Sequence, residues 1–161
     1  MAEIVTERIQ PCLFDRLTDE DPNNKQESRA SRVMSLQRYR EGVLRDLRWL
    51  LNASAHLDEE DWDQFGEIRH SVLNYGSGDF CGQLASSLDI SEVEHEMTET
   101  IKAFEPRILP NTLSVRAVGT TEKSGQNVIA FEIRGDLWAA PIPEQLYIKT
   151  QIDLDTGQCV L

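Results

Sequence analysis

The chain has 161 residues, 40% apolar and 27% charged, with 16 basic against 28 acidic side chains and a formal net charge of −12. That length suits one domain with a core of its own, and the acidic balance argues against general binding to a phosphate backbone. No apolar run reaches the roughly 18 residues of a membrane-spanning helix.

Residues 1–8 lack the basic-then-apolar order of a signal peptide, so a cytoplasmic protein without membrane insertion is expected. Residues 1–30 read as a flexible arm with one apolar knot, Leu13-Phe14-Asp15-Arg16-Leu17, in which Leu13, Phe14 and Leu17 can share one face of a helical turn. Such a knot can dock on a partner or pack back on its own domain. The polar stretch 18–28, with Pro22-Asn23-Asn24, reads as linker. Residues 31–161 are expected to form a single α+β domain.

Residues 31–52 carry a helical pattern. Leu36, Val43, Leu47 and Leu50 repeat at spacings of seven, four and three, with Tyr39, Leu44 and Leu51 widening the stripe. Gly42 costs about 1 kcal/mol inside a helix and points to a close contact. Asn52 reads as the C-terminal cap. Arg29, Arg32, Arg38, Arg40, Arg45 and Arg48 crowd this segment with few acids among them, which fits a solvated face or a docking surface for an acidic protein.

Residues 58–65 are acidic, with Trp62 and Phe65 as anchors of a short helix or turn. Ser71-Val72-Leu73-Asn74-Tyr75-Gly76 is an apolar element running into a loop whose glycines serve turns, since no phosphate-cradling pattern is present. A second helix is expected from Ser91 to Phe104, opened by a Ser91/Glu94 capping box, with Val93, Met97, Ile101 and Phe104 as its core stripe.

Beyond residue 106 the pattern alternates with period two. Leu113, Val115 and Ala117 form one inward set; Ile129, Phe131 and Ile133 a second; Leu146, Ile148, Thr150, Ile152 and Leu154 a third. Residues 119–125 make a hairpin loop. The expectation is α+β: two main helices on a small antiparallel sheet of about three strands, with residues 146–154 as the edge.

Familiar catalytic patterns fail on inspection. His95-Glu96-Met97-Thr98-Glu99 lacks the second histidine of a zinc helix, and a surface pairing of His95 with Glu99 is expected. Asp155-Thr156-Gly157 spells an aspartic-protease triplet at the end of an apolar strand, where a turn is expected. Cys12, Cys81 and Cys159 are odd in number and far apart, signalling neither a disulfide framework nor a zinc site. No metal or cofactor is implied.

The sharpest change of character falls at Phe104-Glu105-Pro106-Arg107. Pro106 has no amide donor and drives Glu105 out of the helical region, so the helix stops there. A stop does not require a glutamate and an arginine around the proline. The arginine offers a planar bidentate fork and the proline lowers the entropy lost on binding, so a recognition corner is the favoured reading. An internal Glu105–Arg107 brace locking helix to sheet is the plain alternative, compatible with binding. As a general acid Glu105 is poorly placed, because an arginine neighbour favours the charged form of a carboxylate. A peptidoglycan hydrolase would need a carboxylate pair elsewhere, and an adaptor working through the arginine-rich helix is a further alternative.

Several motifs occur in a telling order: Leu13-Phe14-Asp15-Arg16-Leu17-Thr18-Asp19, Arg45-Asp46-Leu47-Arg48-Trp49-Leu50-Leu51-Asn52, Ser71-Val72-Leu73-Asn74-Tyr75-Gly76 and Phe104-Glu105-Pro106-Arg107-Ile108. The set resembles the TssE family of type VI secretion baseplate wedge subunits, relatives of a phage-tail wedge protein once labelled lysozyme-like, over residues 13–157. The resemblance implies a non-catalytic component of a cytoplasmic, contractile baseplate, present in several copies per ring. It would join wedge proteins and seed the contractile sheath through its own sheet. It also places partner contacts at Glu105, Pro106 and Arg107, at Leu13, Phe14 and Leu17, and at Arg45, Leu50, Leu51 and Asn52. The family's Asn-Thr-Arg ending reads Asn52-Ala53-Ser54 here, which removes the arginine.

Overall fold

A computed structural model describes residue 9 and residues 11–18, 34–55, 65–121, 127–139 and 143–161. Arg29, Arg32, His56, Trp62, the 19–28 part of the expected linker and the tip of the 119–125 loop lie outside the described residues. The elements are α1 (Leu13–Leu17), α2 (Leu36–Leu51), short 3-10 turns at Ile68–His70 and Val72–Asn74, α3 (Ile90–Phe104), β1 (Ser114–Thr121), β2 (Val128–Leu137), β3 (Glu144–Asp153) and β4 (Gln158–Val160). The class is α+β. No helix among the described residues is long and apolar enough to cross a membrane.

Helix α2 opens where Ser35 accepts a hydrogen bond from the Arg38 amide at 3.3 Å, and it closes on Asn52 as cap. Its buried residues are Tyr39, Gly42, Val43, Leu47, Leu50 and Leu51; Leu36 and Leu44, also expected in the stripe, are partly buried against the core. Helix α3 opens one residue before the expected Ser91, at Ile90, because Asp89 takes the N-cap position and accepts from the Ser91 amide at 2.9 Å. The Ser91/Glu94 capping box does not form. Glu94 reaches instead across to the sheet and accepts from the Ala117 amide at 2.6 Å, where β1 slips register between Ala117 and Gly119. A side-chain acceptor there satisfies a backbone donor at a bulge.

The sheet is antiparallel throughout, in the order β1-β2-β3-β4. Its inward residues, Val115, Ile129, Phe131, Ile133, Leu146, Ile148 and Ile152, are all buried and meet Val93, Met97 and Ile101 of α3 and the α2 stripe in one core cluster. Full burial of each such side chain stabilises by about 1.5–3 kcal/mol.

Two expectations about the sheet change. A fourth strand is present, too short for period-two reading. The Asp155-Thr156-Gly157 turn, with Gly157 at φ 70°, folds it back onto the end of β3. The expected edge strand, residues 146–154, is therefore covered over Gln151–Asp153 by β4. Toward Glu144 its second side has no strand partner among the described residues.

Candidate functional site

After Phe104 the chain turns sharply. Glu105 caps α3 through its amide, which donates to Ile101 O at 2.8 Å, and Ile108 donates back to Glu105 O at 3.2 Å. The next residues run beside the end of β2: Leu109 donates to Asp136 O at 2.8 Å and Trp138 donates to Arg107 O at 2.7 Å. The corner is thereby fixed to the sheet by backbone bonds, and Ile108 fills the core beneath it at 1% exposure.

The Arg107 side chain folds back on Glu105. Its Nε donates to Glu105 Oε1 at 2.6 Å, Nη2 donates to Oε2, and the Arg107 amide adds a third bond at 3.1 Å. Glu105 is 3% exposed. The same Nη2 donates to Asp46 Oδ2 on α2 at 2.6 Å. Asp46 accepts from Arg45 Nε at 2.8 Å through its other oxygen, and Arg45 Nη1 donates to Asp15 of α1. Five charges thus alternate without a break, Glu105–Arg107–Asp46–Arg45–Asp15. They link α3, α2 and α1.

Burial pushes the Asp15 carboxyl upward, but hydrogen bonds from Arg45 and Cys12 and the charges of Arg45 and Arg107 outweigh it and hold it below the usual range. For Arg45 and Arg107 burial acts downward, and their carboxylate partners reverse it, holding both guanidinium groups firmly charged. Gly42 is the sequence feature that permits this closeness. A Cβ there would lie 3.3 Å from Asp15 Oδ2 and 3.9 Å from Arg107 Nη1.

Beside the ion chain lies a groove of about 780 Å³, lined by Phe14, Tyr39, Trp49, Tyr75, Phe104 and Trp138 together with Ile9, Cys12, Leu50, Pro106 and the Asp46, Glu105 and Arg107 side chains. Tyr75 meets Phe104 edge to face at 5.4 Å, and the Tyr39 hydroxyl donates to Trp138 O at 3.0 Å. Burial, above all, raises both tyrosine phenols. The lining is aromatic with its charges already paired, which suits a large apolar or amphipathic surface of another molecule.

Of the expected contact residues, Glu105, Pro106, Arg107, Phe14 and Leu50 line this groove, and Arg45 stands beside it with Phe14 and Trp49 rings at 4.7 and 5.1 Å. Leu13 and Leu17 point outward, 69% and 75% exposed. Leu50 and Leu51 are buried core, 1% and 5% exposed, because both fall on the inward stripe of α2; a partner would meet them through their neighbours. Asn52 lies at the far end of α2, where its amide group donates to Cys159 O and accepts from the Cys159 amide, both at 2.9 Å. It holds β4 in place.

Sequence reading missed Asp15, Asp46, Trp49 and Trp138. Asp46 had a usable signal, as one of the few acids among the arginines of α2. Glu99 accepts from Lys102 at 2.8 Å, which draws its carboxyl downward, and the expected neighbour His95 adds its charge in the same direction. No cluster of three His, Cys, Asp or Glu side chains among the described residues could hold a metal ion. The three cysteines are free thiols.

The family model described as baseplate wedge protein gp25 matches residues 37–142, which carry α2, α3, the corner, β1 and β2. No curated protein and no solved structure matches the chain.

Proposed function

The chain belongs to the baseplate wedge protein gp25 family, and from that premise we propose that it is a structural subunit of a type VI secretion baseplate. In this reading it works in the cytoplasm, in several copies per ring, joins wedge proteins through the Glu105-Pro106-Arg107 corner and nucleates the contractile sheath through its sheet. It carries out no reaction.

The observation behind this reading is the aromatic groove at the corner, whose charges are spent within the chain. Such a surface offers a partner apolar area without leaving buried charges unpaired, the arrangement that lets interfaces hold tightly. The uncovered side of β3 supports the second half, since a free edge accepts a strand from another chain through backbone hydrogen bonds. The groove's two carboxylates, Asp46 and Glu105, are both engaged by Arg107.

Co-purification with the wedge proteins tests the reading. Trp138 is 58% exposed, so Trp138→Ser removes groove surface at little cost to folding. Recovery of the wedge complex should fall about tenfold, the usual effect of losing a central aromatic anchor. Undiminished recovery with Trp138→Ser and with Arg107→Lys would refute the assignment of this corner.

A further inference from the structure

Resting on the proposed function, we propose that α1 is a displaceable clasp over one end of the aromatic groove, held by Asp15 on Arg45 and by Phe14 on Trp49, and that its release opens the groove to the wedge partner.

Three observations carry the inference. First, α1 is lightly attached. None of its residues is buried, and a five-residue helix has little stability of its own. Among the described residues its hold on α2 includes the Asp15–Arg45 ion pair, an Arg45 Nη2 contact to Cys12 Sγ at 3.6 Å, and Phe14, which sits edge to face on Trp49 at 5.3 Å and under the Arg45 guanidinium at 4.7 Å. The chain before it is anchored separately: Ile9, 3% exposed, bridges Met34. The clasp can therefore lift while the core stays closed.

Second, its departure leaves no buried charge without a partner. The five-charge chain holds three carboxylates and two guanidinium groups, an excess of one negative charge. Removing Asp15 leaves Arg45 on Asp46 and Arg107 on Glu105 and Asp46, two against two. Lifting away a member that balanced the set would strand a charge; lifting Asp15 costs its own bond to Arg45 but strands none.

Third, the clasp is one wall of the groove. Cys12 and Phe14 line it together with Trp49, so lifting α1 widens the groove at Trp49. Leu13 and Leu17, both strongly exposed, give a partner an apolar handle on the clasp's outer side.

Cys12 supplies the test. Its thiol donates to Asp15 Oδ2 at 2.9 Å, Cys159 is buried and Cys81 is exposed, so in a full-length Cys81→Ser background a thiol reagent reports on the clasp. Asp15→Asn should speed Cys12 labelling about tenfold, the effect of losing one charge-assisted hydrogen bond, with Cys159 still slow. The same variant should retain wedge proteins several-fold better in co-purification. Unchanged Cys12 labelling would overturn the clasp. Faster labelling with equal or weaker wedge recovery would overturn its gating of the groove. The labelling needs no partner, so a failure of the proposed function, seen as wild-type recovery with Trp138→Ser, is read from a separate arm.

Discussion

Arg107 binds Glu105 and Asp46 at once, with Nη2 2.6 Å from Asp46 Oδ2 and Nε 2.6 Å from Glu105 Oε1. One guanidinium therefore joins the end of α3 to the middle of α2 at the point where the chain enters the sheet. The corner is a brace, and the partner contact proposed for it is not separable from that brace by deleting the arginine.

Arg107→Ala should accordingly destabilise the isolated protein. It leaves the Glu105 carboxylate, with its side chain 4% exposed, facing the interior without its guanidinium. Breaking such a pair from one side costs about 3 kcal/mol. Urea unfolding followed by circular dichroism should show the midpoint shifted down accordingly, with Arg107→Lys in between because an ammonium cannot reproduce the bidentate fork. A midpoint within error of wild type for Arg107→Ala would mean that the brace contributes nothing.

Acid should loosen the clasp only below the ordinary aspartate range. The Asp15 carboxyl is held below its ordinary value near 3.8 by Arg45 and Cys12 against the opposing effect of burial. A depressed folded pKa contributes stability above the unfolded value, and that contribution is lost as pH falls through the folded one. Asp15 should titrate below an exposed aspartate in a carboxyl-detected NMR titration. Protection of the Arg16 amide, which donates to Cys12 O at 3.0 Å, should fall over the same interval. An ordinary Asp15 midpoint would contradict the geometry.

The sheet and both long helices were legible because their residues repeat with fixed periods, and Val43, Leu47, Met97, Phe131 and Ile148 are buried where the patterns put them. The β4 strand escaped because three residues cannot display an alternation. The start of α3 was misplaced because two capping patterns overlap there, and Glu94 was needed by the Ala117 amide. The corner itself was legible from Pro106 and its flanking charges. Its saturation was not, since Asp46 and Arg107 are 61 positions apart and Asp15 and Arg45 are 30 apart, separations at which charge signs carry no pairing information. Gly42 was the bridge between the two levels: a helix-weakening residue in a strong stripe pointed to a close contact, and Asp15 and Arg107 make it.

Gly42→Ala sets helix propensity against that contact. Alanine favours the middle of α2 by about 1 kcal/mol. Its methyl would sit 3.3 Å from Asp15 Oδ2, so something must give by a few tenths of an ångström. Because no residue of α1 is fully buried, it is α1 that gives. The melting temperature should hold or rise slightly, while hydrogen exchange at the Arg16 and Thr18 amides becomes faster. A clear fall in melting temperature would mean that Arg107, 3.9 Å away, is displaced instead.

Asn52→Ala probes the far end of the same helix. The Asn52 side chain supplies both an acceptor and a donor to Cys159, acting on β4 as a neighbouring strand would. Removing it leaves the amide and carbonyl of Cys159 without those bonds, at a cost of about 1–2 kcal/mol. The loss should be local, since β4 otherwise pairs with β3 over just three residues. Burial raises the Cys159 thiol and keeps it sluggish toward alkylation, so opening β4 should register as faster Cys159 modification in Asn52→Ala, with exchange at the Ile148 amide unchanged. If Cys159 stays as protected as in wild type, the Asn52 bonds are not what holds the last strand against β3.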